Sequence, residues 1–186
     1  MDRAMWVHLE VAEAFEEAAL FARADALSAG RFWVKRNSLP VGKISVDDKS
    51  RTTFEKALSE HYWPTEMRGK YCAVEHYPRA NGAEYFFAYL DDYPDNHLVF
   101  DDAGQMQCRA DRYAFTNVFV FNPDEGSLEL FARGGQKAHL PLEQAFCRSV
   151  LGLEVGPADP LRAAYQLDHL LDPNFPLATD PSDRIA

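Results

Sequence analysis

The residues with the clearest chemical potential lie in one stretch, AEYFFAYLDDYPDNHLVFDDAGQ, residues 83–105. Five carboxylates, Asp91, Asp92, Asp95, Asp101 and Asp102, fall within twelve residues, His97 sits among them, and no Lys or Arg interrupts the stretch. Carboxylate and imidazole groups bind cations and move protons. Asp91, Asp92, Asp95 and His97 are therefore the residues that would hold a metal. The pattern fails the requirements of an EF-hand loop, since DDYPDNHLVFDD has neither the central Gly nor the closing Glu. Turn chemistry accounts for the same residues: Asp, Pro and Asn in DDYPDN, and Asp, Ala and Gly in DDAG, are turn formers. The strand HLVF between them is four residues long. A rise of ~3.3 Å per residue separates its ends by about 13 Å, so the two Asp pairs cannot share one ion. The expectation is two solvated turns, with no metal and no cofactor.

The second candidate is EHYWPTE, which brings His61 and Glu66 to the end of a helix. A His beside a Glu can serve as a general base, and these two are the candidate catalytic residues. The helix dipole alone also favours a His at that end. The six histidines show no HxH or HxxxH spacing. His76 shares a strand face with Cys72, but four residues of strand place them roughly 13 Å apart, too far for a nucleophile–base pair. No GxSxG elbow occurs, and Gly134–Gly135 lacks the flanking pattern of a phosphate loop. Cys72, Cys108 and Cys147 are odd in number and widely spaced. They read as free thiols of a reducing cytoplasm.

Partner binding has its own candidates. Residues 31–51 carry Arg31, Lys35, Arg36, Lys43, Lys49 and Arg51, with Phe32 and Trp33 interleaved. Further on, Tyr85, Phe87 and Tyr89 alternate with Phe86, Ala88 and Leu90, so one face of that strand is wholly aromatic. Trp33, Arg36, Tyr85, Phe87 and Tyr89 are the residues expected at a partner surface. A sheet covered by helices on both sides is the alternative for the aromatic row. Charge is polarised as well. Residues 1–70 hold eleven acids and eleven bases, whereas 71–186 hold eighteen acids and eight bases. That acidic part repels nucleic-acid backbones. No apolar run approaches the ~20 residues that cross a bilayer, and the N-terminus has no signal-peptide core.

These residues need elements to position them. Alanine-rich residues 9–29 have helical spacing, with Val11, Phe15, Ala18 and Ala22 on one face. RFWVKR, 31–36, alternates as a strand. A second helix is expected to start at Thr52, with TTFE as a capping box, and to end at Pro64. Strands follow at 71–77, 83–90, 97–100, 105–121 and 128–133, joined by tight turns. A third helix takes Leu142, Phe146 and Val150, with Pro141 in its first turn, and a fourth starts after Asp159–Pro160.

The expected fold is therefore α+β: an antiparallel meander of about five strands, flanked by an N-terminal helix and a C-terminal helical pair. Residues 1–172 form one domain, and 173–186 form a Pro/Asp-rich tail or linker. The expected function is a non-catalytic protein-interaction or regulatory domain, alone or as one part of a larger multidomain protein, that binds a protein partner or itself as a dimer. The alternative is a hydrolase whose site is assembled from distant residues, either His61 with Glu66 or the Asp91–His97 segment. An acidic mimic of nucleic acid is the third reading.

Overall fold

A computed structural model describes residues 11–28, 33–132 and 136–157. The fold is α+β, in element order α1 (Ala12–Ser28), β1 (Trp33–Arg36), α2 (Asp48–Glu66), β2 (Cys72–Pro78), β3 (Glu84–Phe100), β4 (Met106–Asn122), β5 (Ser127–Phe131) and α3 (Gln136–Phe146), closed by a π-helical turn over Cys147–Leu151. The five strands form one antiparallel sheet in the order β1-β5-β4-β3-β2. The expected fourth helix and the 173–186 tail lie outside the described residues. Among the described residues, no helix is long and apolar enough to cross a membrane.

Strand alternation sends Phe86, Ala88 and Leu90 to one face and Tyr85, Phe87 and Tyr89 to the other. Both faces are covered. On the first, Phe54, Leu58 and Tyr62 of α2 and Leu142, Ala145 and Phe146 of α3 pack on Val74, Phe86, Phe119, Phe121, Leu128 and Leu130. On the second, Phe21 and Ala24 of α1 pack on Phe87, Val118, Val120 and Phe131. An aromatic row on each side is thus what a sheet inside a three-layer fold requires.

Four boundaries differ from those expected. Helix α2 starts a turn early, because DDKS offers a better capping box than TTFE. Asp47 accepts the Ser50 backbone N–H at 2.7 Å, and the Ser50 hydroxyl accepts that of Asp47 at 3.1 Å. These bonds hold the Asp47 carboxyl below its usual range. Glu55 is then free to accept the Val74 N–H of edge strand β2 at 2.9 Å, which closes an open ladder position. At its other end α2 runs past Pro64 to Glu66 and stops at Met67, which takes a left-handed conformation. In α3, Pro141 lies in the second turn, not the first, and Val150 belongs to the π-helical turn. The fourth difference concerns β3. DDYPDN is no turn: β3 runs through it as a single strand, with a bulge between Asp91 and Pro94.

Gly126 has a specific task. Its φ is +60°, and a Cβ there would stand 2.1 Å from the Leu39 carbonyl oxygen. The β4–β5 turn closes against the Leu39 backbone, whose N–H donates to the Gly126 carbonyl at 2.8 Å.

Candidate functional site

The bulge creates the most distinctive feature of the molecule. Strand β2 stops pairing with β3 at Leu90, and β5 stops pairing with β4 at Val118. Beyond those points, among the described residues, β3 and β4 pair with each other alone, from Pro94–Arg112 out to Phe100–Met106. They form a two-stranded arm about 20 Å long at ~3.3 Å per residue.

Its root is built from the acidic residues of the opening stretch. Asp91 accepts the Tyr71 backbone N–H at 2.8 Å and an Arg112 guanidinium N–H at 3.2 Å. Its own N–H donates to the Tyr71 carbonyl, and its carbonyl accepts from Gly69. Asp92 faces Arg68 at 3.3 Å. Arg68 also pairs with Glu66 at 2.6 Å and lies 4.4 Å over the Phe115 ring. The Tyr93 hydroxyl donates to the Glu66 carbonyl at 2.5 Å. The bulge is therefore clamped to the end of α2 from three sides. At the tip, the Asp101 carboxylate accepts the N–H groups of Ala103 and Gln105 and shapes the turn.

Between root and tip the arm has two unlike faces. Register places Asp95, His97 and Val99 with Gln107, Arg109 and Asp111 on one, which is largely polar. Arg109 pairs with Asp111 there at 2.9 Å, and the His97 ring stands edge-on to Tyr113. The opposite face carries Asn96, Leu98 and Phe100 beside Met106, Cys108 and Ala110. It holds no charge, and among the described residues nothing covers it: Phe100 is 75 % exposed, Leu98 70 % and Met106 62 %.

The candidate metal residues are drawn apart by this arrangement. Asp91 and Asp92 serve the root, Asp95 points from the polar face 3.5 Å from His97, and Asp101 lies at the far end. Among the described residues, no three His, Cys, Asp or Glu side chains are grouped to hold an ion. The candidate catalytic residues adjoin but do not bond. Glu66 is engaged by Arg68. His61 packs edge-on to Tyr62, and burial lowers its affinity for a proton, with Glu66 pulling weakly the other way. His76 stacks on Phe86 and bonds Glu84 at 2.7 Å, as a partly buried His with one partner.

No protein-family model matches this chain, and no curated protein does.

The five residues expected at a partner surface sit within the fold or along its seams. Phe87 is buried beneath α1, and Tyr85 meets the Phe21 ring at 5.3 Å. Tyr89 borders a groove with Glu13, Glu16 and Glu17 of α1. The Trp33 indole N–H donates to Glu129 at 2.6 Å, and Arg36 is buried against Glu143. What residue-by-residue reading passed over was the symmetry about DDAG. HLVF and QMQC each alternate, and folding them back on one another puts both apolar sets on the same side.

The cysteines differ sharply in this setting. Burial lifts the Cys72 thiol to about 12, with Glu55 adding to the rise, and lifts Cys147 to about 11. Cys108 is exposed on the arm. Only thiolates attack disulfide reagents. Titrated at pH 8 with an aromatic disulfide, the native protein should release one equivalent of chromophore quickly and two more only on unfolding. Fast release of two or three equivalents would contradict the shielding of half-buried Cys72 and buried Cys147.

Proposed function

We propose that this domain is a non-catalytic protein-interaction module and that the arm is its contact surface. One observation carries the reading: an uncharged apolar face, with Leu98, Phe100 and Met106 exposed, on a ribbon that projects from a fully covered core. Isolated two-stranded ribbons are marginal in water, and soluble proteins seldom leave such a face uncovered without use for it. The root clamp supports the same reading, because it fixes the direction of the arm. Rigid presentation lowers the ordering cost of binding.

The test is a Phe100→Asp, Met106→Asp variant compared with wild type for the proteins each retains, a second copy of the chain included. The arm lies outside the core, so the variant should unfold within about 0.5 kcal/mol of wild type, as exposed substitutions do, while losing the bound partners. Equal retention by both proteins would remove the arm as the contact surface.

A further inference from the structure

We infer that the occupant of the arm's apolar face is the same face of a second copy, laid tip to root about a two-fold axis. This rests on the reading of the arm as a contact surface, and it names the partner.

Three features of the face are self-complementary in that arrangement. The first is size. Phe100 and Met106 are bulky and lie at the tip, Leu98 and Cys108 form the middle row, and the small pair Asn96 and Ala110 lies nearest the root. A two-fold axis through the middle row sets each bulky pair over a small pair. It also sets Cys108 opposite its own mate.

The second is charge. The tip carries Asp101 and Asp102, and the root row carries Arg112 on the apolar side. Tip-to-root packing lays that tip over Arg112 of the other copy, which Asp91 already pairs at 3.2 Å, so the tip meets a neutral ion pair rather than another acid. Tip-to-tip packing would oppose the acids. The face between is uncharged, so no ion is buried unpaired.

The third is area. Exposures of 75 %, 70 % and 62 % for Phe100, Leu98 and Met106 leave on the order of 400 Å² of side-chain surface on these three residues, a patch of the size that marks functional contacts on monomers. With the rest of the row, two such faces reach roughly the 1,000 Å² at which a specific interface becomes credible. The interface is therefore a weak, reversible one. A basic partner is the competing occupant, since residues 91–113 hold six acids and two arginines. Salt separates the two cases, because screening strengthens an apolar contact between like-charged copies and weakens one between opposite charges.

The experiment is light scattering across a concentration series at low and high NaCl, with a short bis-maleimide as a probe of Cys108. Facing sheets lie ~10 Å apart, too far for a direct disulfide but within reach of such a linker. Wild type is expected to dimerise, more tightly at high salt, and to cross-link through Cys108. Phe100→Asp should abolish both with its melting temperature unchanged. Cys108→Ser should lose only the cross-link. A dimer that survives Phe100→Asp, or one that never cross-links, overturns this packing. A wild-type monomer at every concentration overturns self-pairing outright. The wider reading of the arm would then stand or fall on whether Phe100→Asp, Met106→Asp sheds other proteins.

Discussion

Replacing Glu143 with alanine is expected to destabilise the domain by about 3–5 kcal/mol, the usual cost of leaving one member of a buried ion pair uncompensated. The Arg36 Nε–H donates to Glu143 Oε2 at 2.6 Å, with the two side chains only 9 % and 10 % exposed. The remaining donor contact of Arg36 runs to the Gly156 carbonyl at 2.8 Å. Without Glu143, a guanidinium stays in an apolar seam with one carbonyl to face. The damage should be regional. Among the described residues β1 pairs with β5 alone, and Arg36 ties it further to α3 and to the segment after the π-helical turn. A double variant, Arg36→Met with Glu143→Leu, should lie within about 2 kcal/mol of wild type on either side, because it removes both desolvation costs together. Urea unfolding of the three proteins decides the matter. A loss below about 1 kcal/mol in Glu143→Ala would mean that water reaches the pair.

The other large effect is expected at Phe146. Its ring stacks with Phe119 at 5.6 Å, meets Phe54 and Phe86 edge-on at 5.5 and 5.1 Å, and lies 6.3 Å from Phe121. It is fully buried where α2, α3 and the sheet converge. Phe146→Ala should cost about 3–5 kcal/mol, through lost transfer energy and the cavity left among rings that cannot collapse. Phe100→Ala on the arm removes the same atoms from a side chain 75 % exposed, and should cost no more than about 0.5 kcal/mol. Thermal unfolding of the two variants gives the contrast directly. Equal losses would refute the division between the packed core and the exposed apolar face of the arm.

Much of this fold is legible in local pattern. Phe54, Leu58 and Tyr62 recur at helical spacing and all three are buried. Tyr85 to Leu90 alternate, and the two resulting sets pack on opposite helical layers. These readings succeed because the period of a buried face is a property of the chain itself. The boundary of α2 was harder, since TTFE has the sequence form of a capping box, whereas DDKS carries Ser50 where Glu or Gln is usual. The choice between them was made by Glu55, which is needed at the edge of β2 and so is unavailable as a cap partner.

The acidic stretch divides most clearly into what each level decides. Sequence by itself determined the alternation of HLVF and QMQC and the turn at Asp101–Gly104, because those are local preferences of neighbouring residues. It left the aromatic strand two outcomes, a partner surface or cover on both faces, and the packed helices decided for cover. Only the tertiary structure decided that DDYPDN would be a bulge within one strand. Its turn formers are held extended by partners remote in sequence: Tyr71 and Arg112 on Asp91, Arg68 on Asp92, and the Glu66 carbonyl on Tyr93. Such contacts outweigh a preference worth little per residue, and they exist only once α2 and the sheet are packed. From that one choice the arm follows, and with it the uncovered face on which the proposed function rests.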